Sequence, residues 1–316
     1  MANIVGPSFI GAVIKKTRSA EWRRYLKADL WLLLATFFWG ATFVAVGDSM
    51  KYVSTFLWLG WRFFLSGLVL LPFCWKHLKL LSKEGWAQGL LLGVFMFAGF
   101  GFQTAGLIHT TASRSAFITG LSVVLVPPAA VVILKQRLEA WQVIGVALAA
   151  AGLYFLSRPL AGGFNLGDFY TLICALCFAL VIILVQKYTE RHPPLALVMV
   201  QIMATVTLSG IIIALAERPK FLWSPSLVPD IVITSLLATA GSLVIQFHWQ
   251  RRTTPIRAAI IYTLEPVFAS TFAYLILRES MPGLAWLGAC LILAGMATAE
   301  FAGSAKNGLE KSGSSI

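Results

Sequence analysis

Thr110-Thr111-Ala112-Ser113-Arg114-Ser115-Ala116 and Thr253-Thr254-Pro255-Ile256-Arg257-Ala258-Ala259 read as two copies of one segment, 143 positions apart. In the same register Ile118, Leu121, Val124, Ala130, Ile133 and Leu134 meet identical residues at Ile261, Leu264, Val267, Ala273, Ile276 and Leu277. Gly145, Leu148, Ala151 and Gly152 meet Gly288, Leu291, Ala294 and Gly295, and upstream Gln103 meets Gln246. Shared apolar composition produces chance matches of Leu and Ala. It does not readily produce Thr-Thr, an arginine and two glycines in one register. Nearer the N-terminus the offset becomes 139, where Asp29 meets Asp168 and Arg62 meets Gln201. A longer loop late in the chain accounts for the four-residue change.

The repeated unit is a set of membrane spans. Of the 316 residues, 58% are hydrophobic and 12% charged, against about 45–50% and about 25% in soluble domains. Ten apolar runs stand between polar breaks, at 30–47, 53–73, 86–108, 115–134, 141–157, 167–185, 195–215, 230–250, 256–276 and 283–302. They are longer and more continuously apolar than the alternating segments of about ten residues that a strand barrel needs, so they read as helices. The expected fold is an all-α integral membrane protein with ten transmembrane helices in two five-helix repeats. Five is odd, so the second repeat must enter the bilayer from the opposite side, an inverted-topology arrangement found in secondary transporters. The expected divisions are a cytoplasmic segment 1–28, repeats 29–158 and 167–302, and a disordered polar tail 303–316.

The net charge of +12 is a topology signal. With the N-terminus inside, 18 of the 25 Lys and Arg fall in inner segments and six in outer ones, leaving Arg62 within a span. That imbalance puts both termini in the cytoplasm. The basic residues lie between apolar runs and form no single basic face, which argues against nucleic acid. Trp31, Trp75, Trp86, Trp141 and Trp286 lie near span ends, as an aromatic belt would. No cleavable signal peptide is evident, and Ile4–Ile14 reads as a short helix on the inner surface. Cys174 and Cys177 form a CxxC inside an apolar run, where buried small side chains are a better account than redox or metal chemistry.

Two charges fall near span centres, Arg62 and Glu265, each about nine residues and so roughly 13 Å deep. A charge there costs about 2.5–3.5 kcal/mol on insertion scales. Either the two line a wet cavity and contact substrate or protons, or they pair and hold helices together. Gln103 and Gln246 imply buried amide partners, interhelical or substrate. Tyr262, Gln201, Thr119 and Ser122 add polar candidates, and Trp39 and Trp61 candidate aromatic walls. Pro127 and Pro266 are candidate kinks, because proline removes a backbone donor. Asp29 and Asp168 read as helix caps, and His248 and His109 as structural hydrogen bonders. Gly145/Gly152 and Gly288/Gly295 read as equivalent helix contacts in each half.

Four sets of segments, Leu264-Glu265-Pro266-Val267-Phe268-Ala269 with Leu277-Arg278-Glu279, Ser122-Val123-Val124-Leu125-Val126-Pro127 with Leu134-Lys135-Gln136-Arg137, Gly167-Asp168-Phe169, and Arg62-Phe63-Phe64-Leu65, make up a pattern that resembles the EamA family of the drug/metabolite transporter superfamily. Gln136 departs from the pattern, which usually has glutamate there. The resemblance covers residues 29 to 302. It implies two five-helix repeats and a permease, often an exporter of amino acids or other metabolites, in a bacterial plasma membrane. No Walker-type glycine loop and no HExxH motif occurs, so the expected protein uses no cofactor or metal and is not an enzyme. Its expected partners are a small-molecule substrate, the bilayer and coupling protons. Multidrug efflux and nucleotide-sugar exchange are alternatives; the latter would want more midplane cations than Arg62. An intramembrane enzyme or a non-transporting receptor is the rival class.

Overall fold

The computed structural model describes residues 7–157, 163–277, 283–284 and 286–298. The expected tail 303–316, together with Arg158 and Arg278, lies outside the described residues. Among them the chain is helical: α1 (Pro7–Ser49), α2 (Thr55–Leu78), α3 (Lys83–Leu107), α4a (Ala112–Gly120) and α4b (Ser122–Leu134), α5 (Ala140–Ser157), α6 (Leu166–Thr189) and α7 (Pro194–Leu215). Then follow α8, a composite over Leu227–Arg252, α9a (Pro255–Tyr262) and α9b (Glu265–Leu277), and α10 (Trp286–Thr298). Eight of these units are long and apolar enough to cross a membrane; α5 and α10 are apolar but shorter. At about 1.5 Å per residue, the described stretch of α10 covers less than a core about 30 Å thick. Pro7–Ile14, expected as a separate surface helix, is continuous with the first span.

Polarity is inside out relative to a soluble protein. Large apolar side chains such as Phe73, Val132 and Leu215 point outward, while Arg62, Asp168, Gln201 and Gln250 are buried. Contiguous apolar surface of that extent needs a bilayer. Helix ends carry local caps. Thr111 Oγ1 accepts from Arg114 N at 3.3 Å and Thr254 Oγ1 from Arg257 N at 3.2 Å, so the repeated Thr-Thr pair starts two equivalent helices. Asn165 and Asp168 form a capping box at the start of α6. Glu217 reaches from the loop after α7 to accept from Phe56 N and Leu57 N at 2.9 and 3.0 Å.

Helices of one repeat pack on helices of the other. α2 lies on α7, α3 on α6, and α1 on α9b. A methyl added at Gly152 would meet Gly288 O at 2.6 Å, and one at Gly295 would meet Gly145 O at 2.6 Å. The four repeated glycines, expected to mark a like contact within each half, instead form one shared contact, with α5 and α10 antiparallel and almost touching. Without a hydrophobic drive between helices in lipid, such small-residue seams carry the association.

Candidate functional site

The fourth and ninth helices are interrupted at equivalent positions. The backbone tightens to three-residue hydrogen bonds at Leu121 N–H to Ile118 O, 3.1 Å, and Leu264 N–H to Ile261 O, 3.1 Å. These leucines are 143 positions apart. In α9 the cause is Pro266, which has no N–H to offer Tyr262 O and sits as the second residue of α9b, where a helix tolerates proline. In α4 the interruption falls at Leu121, not at Pro127, which runs on inside α4b with Pro128. Gly120 lies against Pro266, and Ala116 clusters with Ala269, so α4 and α9 run antiparallel with their breaks adjacent.

A cavity of about 50 Å³ opens at the breaks, lined in part by Trp39, Gln103, Ser122, Gln246, Tyr262 and Glu265. Thr119 also faces it. Gln103 Nε2 donates to Thr119 Oγ1 at 3.2 Å. Gln246 Nε2 donates to Gln250 Oε1 at 3.2 Å, Tyr262 Oη donates to the same oxygen at 3.1 Å, and Gln250 Nε2 donates to Ile182 O at 2.7 Å. Gln250 was not anticipated, although it lies four residues after Gln246, one helical turn along the same face. Phe100 and Phe178 also line the cavity and carry no sequence signal among 22 phenylalanines.

Arg62, Gln201 and Trp61 do not line it. Arg62 is 1% exposed. Its Nε donates to Thr239 Oγ1 at 2.6 Å, its Cζ stands 4.5 Å from the Phe100 ring centre, and its Nη2 lacks a hydrogen-bond partner. Arg62 and Glu265 form no ion pair within 4.0 Å; Phe100, which touches both the guanidinium and the cavity, stands at that boundary. Thr239 belongs to a nine-residue π-helical stretch, Ile233–Gly241, a distortion frequent at functional sites. Gln201 is buried with both amide atoms unpartnered. Trp61, expected as an aromatic wall, is 52% exposed and packs edge-on against Phe64. His248 Nε2 lies 2.9 Å from Arg252 Nη2.

At each end of the cavity an arginine holds an aspartate of the other half. Arg114 Nε and Nη2 reach Asp168 Oδ1 and Oδ2 at 2.7 and 2.5 Å. Arg257 Nε reaches Asp29 Oδ1 at 3.0 Å, and its Nη2 also meets Asp29 Oδ2. Both are side-on, two-bond pairs. Asp29, expected as a cap, does not cap: α1 continues upstream to Pro7, so its carboxylate lies mid-helix and takes Arg257. Each arginine stands seven residues before its break, about 10 Å of rise, and α4 and α9 are antiparallel, so the two pairs flank the cavity on opposite sides.

The model of the EamA-like transporter family matches the chain twice, over residues 26–158 and 165–299. The chain belongs to the EamA-like transporter family. Among EamA-like relatives, an uncharacterized transporter of Archaeoglobus fulgidus is 36% identical over 282 residues, covering 89% of this chain and 88% of its own. The S-adenosylmethionine uptake transporter of Rickettsia prowazekii is 25% identical over 273 residues, covering 81% of this chain and 86% of its own. A solved structure, titled only as the crystal structure of a protein, matches with a TM-score of 0.72 at 19% identity, over 86% of this chain and 96% of that one; that likeness concerns fold alone. EamA-like membership makes this an integral membrane transporter of a small-molecule substrate, which disfavours the enzyme reading.

Proposed function

We propose that the protein is a secondary permease of ten spans in two inverted repeats, carrying amino acids or related small metabolites by alternating access across a bacterial plasma membrane, with both termini cytoplasmic. The observation that carries this reading is the cavity between two equivalently broken helices, with an Arg–Asp clamp at either end. Each clamp ties one half to the other. Parting Arg257 from Asp29 frees one side of the cavity, and parting Arg114 from Asp168 frees the other, so a cycle that opens one at a time never forms a through-channel. Glu265 is the substrate or proton group, since a carboxylate at this depth needs a counter-charge. Export is the working direction; two relatives named for S-adenosylmethionine uptake set import beside it.

The deciding experiment is counterflow into proteoliposomes of purified protein. Uptake of labelled amino acid or metabolite driven only by preloaded unlabelled compound establishes a carrier and its substrate class. Folded protein that shows no counterflow across a broad metabolite panel would count against the permease reading and favour a receptor.

A further inference from the structure

We propose that the central cavity is shaped for the compact ammonium or sulfonium head of an organic cation, held by Glu265 inside a cage of four aromatic rings. This rests on the permease reading and narrows its substrate. Three observations lead to it. First, Glu265 is the one charged residue among those lining the cavity. Its carboxylate makes no hydrogen bond to protein and no ion pair, and Arg62 does not reach the cavity wall. It is the first residue of α9b, and among the described residues no cationic side chain stands within 4.0 Å of it, so the cavity leaves a place beside it for the positive charge of a ligand.

Second, the walls are ring surface. Trp39 stacks edge-on with Tyr262 at 5.2 Å, and Phe100 with Phe178 at 5.1 Å. The polar tips of the first pair are tied up elsewhere: Trp39 Nε1 donates to Ala238 O at 2.8 Å and Tyr262 Oη to Gln250. What remains toward the cavity is π-surface, which attracts cations, quaternary ammonium above all.

Third, a buried acceptor beside the cavity is left over. Gln246 Oε1 is buried and unpartnered, while the amide nitrogens of Gln246 and Gln103 already donate to Gln250 and Thr119. An oxygen dipole and a carboxylate facing aromatic rings suit the positively charged methyls of an onium ion, through weak C–H···O contacts. The volume of about 50 Å³ takes roughly three to five water-sized groups, the scale of a trimethylammonium or dimethylsulfonium head. The rest of a larger substrate would occupy whichever side has its clamp open.

The test is titration calorimetry on the full-length protein in lipid nanodiscs, with choline, trimethylsulfonium and 3,3-dimethylbutan-1-ol, the uncharged isostere of choline. The cations are expected to bind and the isostere to bind at least about tenfold more weakly, the loss of a desolvated cation–π and charge contact. Glu265→Gln should weaken choline binding about 30-fold, whereas Glu265→Asp should keep it within a few-fold. Trp39→Leu should weaken it about tenfold and Trp39→Phe by far less, both eluting as wild type on size exclusion. Equal binding of choline and its isostere, or choline binding unchanged in Glu265→Gln, overturns the inference. So does counterflow of a neutral or anionic metabolite that choline does not inhibit, which leaves the permease reading standing. Cation binding without any counterflow would do the reverse.

Discussion

Neutralising one clamp should expose the cavity to one side of the membrane only. The perturbation is Asp29→Asn, set against Asp168→Asn. Asp29 and Arg257 are 15% and 11% exposed, and Asp168 and Arg114 0% and 14%, so neither pair has the solvent screening that makes surface ion pairs nearly worthless. A hydrogen bond to a charged group contributes about 1.5–3 kcal/mol. Asparagine keeps one acceptor but loses the charge and the second bond, so the loss is about 3 kcal/mol, or a factor of about 150 in population. A clamp that exists only when its own end is closed transfers that whole factor to the open state. The assay places a cysteine at Ser122, on the cavity wall, in a background with exposed Cys290 replaced, and measures its rate of modification by a membrane-impermeant maleimide from each face. Asp29→Asn should speed labelling from the inner face and slow it from the outer; Asp168→Asn should do the opposite. The exchanged pair Asp29→Arg with Arg257→Asp should recover much of the original rate. If both aspartate variants shift labelling on the same face, or neither changes it threefold, the clamps do not gate and serve only to join the halves.

Glu265→Gln should abolish counterflow while leaving the yield of monodisperse protein at the wild-type level; lost yield instead would make the residue structural. Gly152→Ala should lower thermal stability by about 1–3 kcal/mol, because its methyl would meet Gly288 O at 2.6 Å; an unchanged melting temperature in detergent would show that α5 and α10 part freely. Asn165→Ala should cost about 1 kcal/mol through the lost cap, seen as faster amide exchange in the first turn of α6 and unaltered exchange elsewhere.

Much of the cavity was legible in the sequence because polar residues in apolar runs are conspicuous. Glu265, Gln103, Gln246 and Tyr262 stood out against hydrocarbon, and the structure brings them together. What the sequence hid was direction. In α2 only Thr55, Arg62 and Ser66 mark the enclosed face, a sparse signal among large apolar side chains, and Trp61, one step before Arg62, faces outward. Asp29 and Asp168 looked alike as caps, and their arginines lie 228 and 54 residues away, beyond the reach of local reasoning. The repeat itself held the clue: Arg114 matches Arg257 and Asp29 matches Asp168, two recurring opposite charges in one internal alignment. Pro127 misled for the contrary reason. A proline predicts a weakened helix, but the break in α4 follows the position shared with α9, where α9 has Pro266 and α4 has Val123.

The π-helical stretch of α8 has no counterpart. Shifted by 143 positions it falls on 90–98, inside the unbroken α3. A duplicated machine with perfect twofold symmetry would rest equally often facing either compartment, with half-saturation constants alike on both sides. Here one half carries a wider, looser turn, and Thr239 within it holds Arg62. If the protein works by the alternating access proposed above, its two resting orientations are unequal in free energy. Such a carrier obtains no work from the inequality, but it shows different apparent affinities from inside and outside, and its empty form waits preferentially on one side.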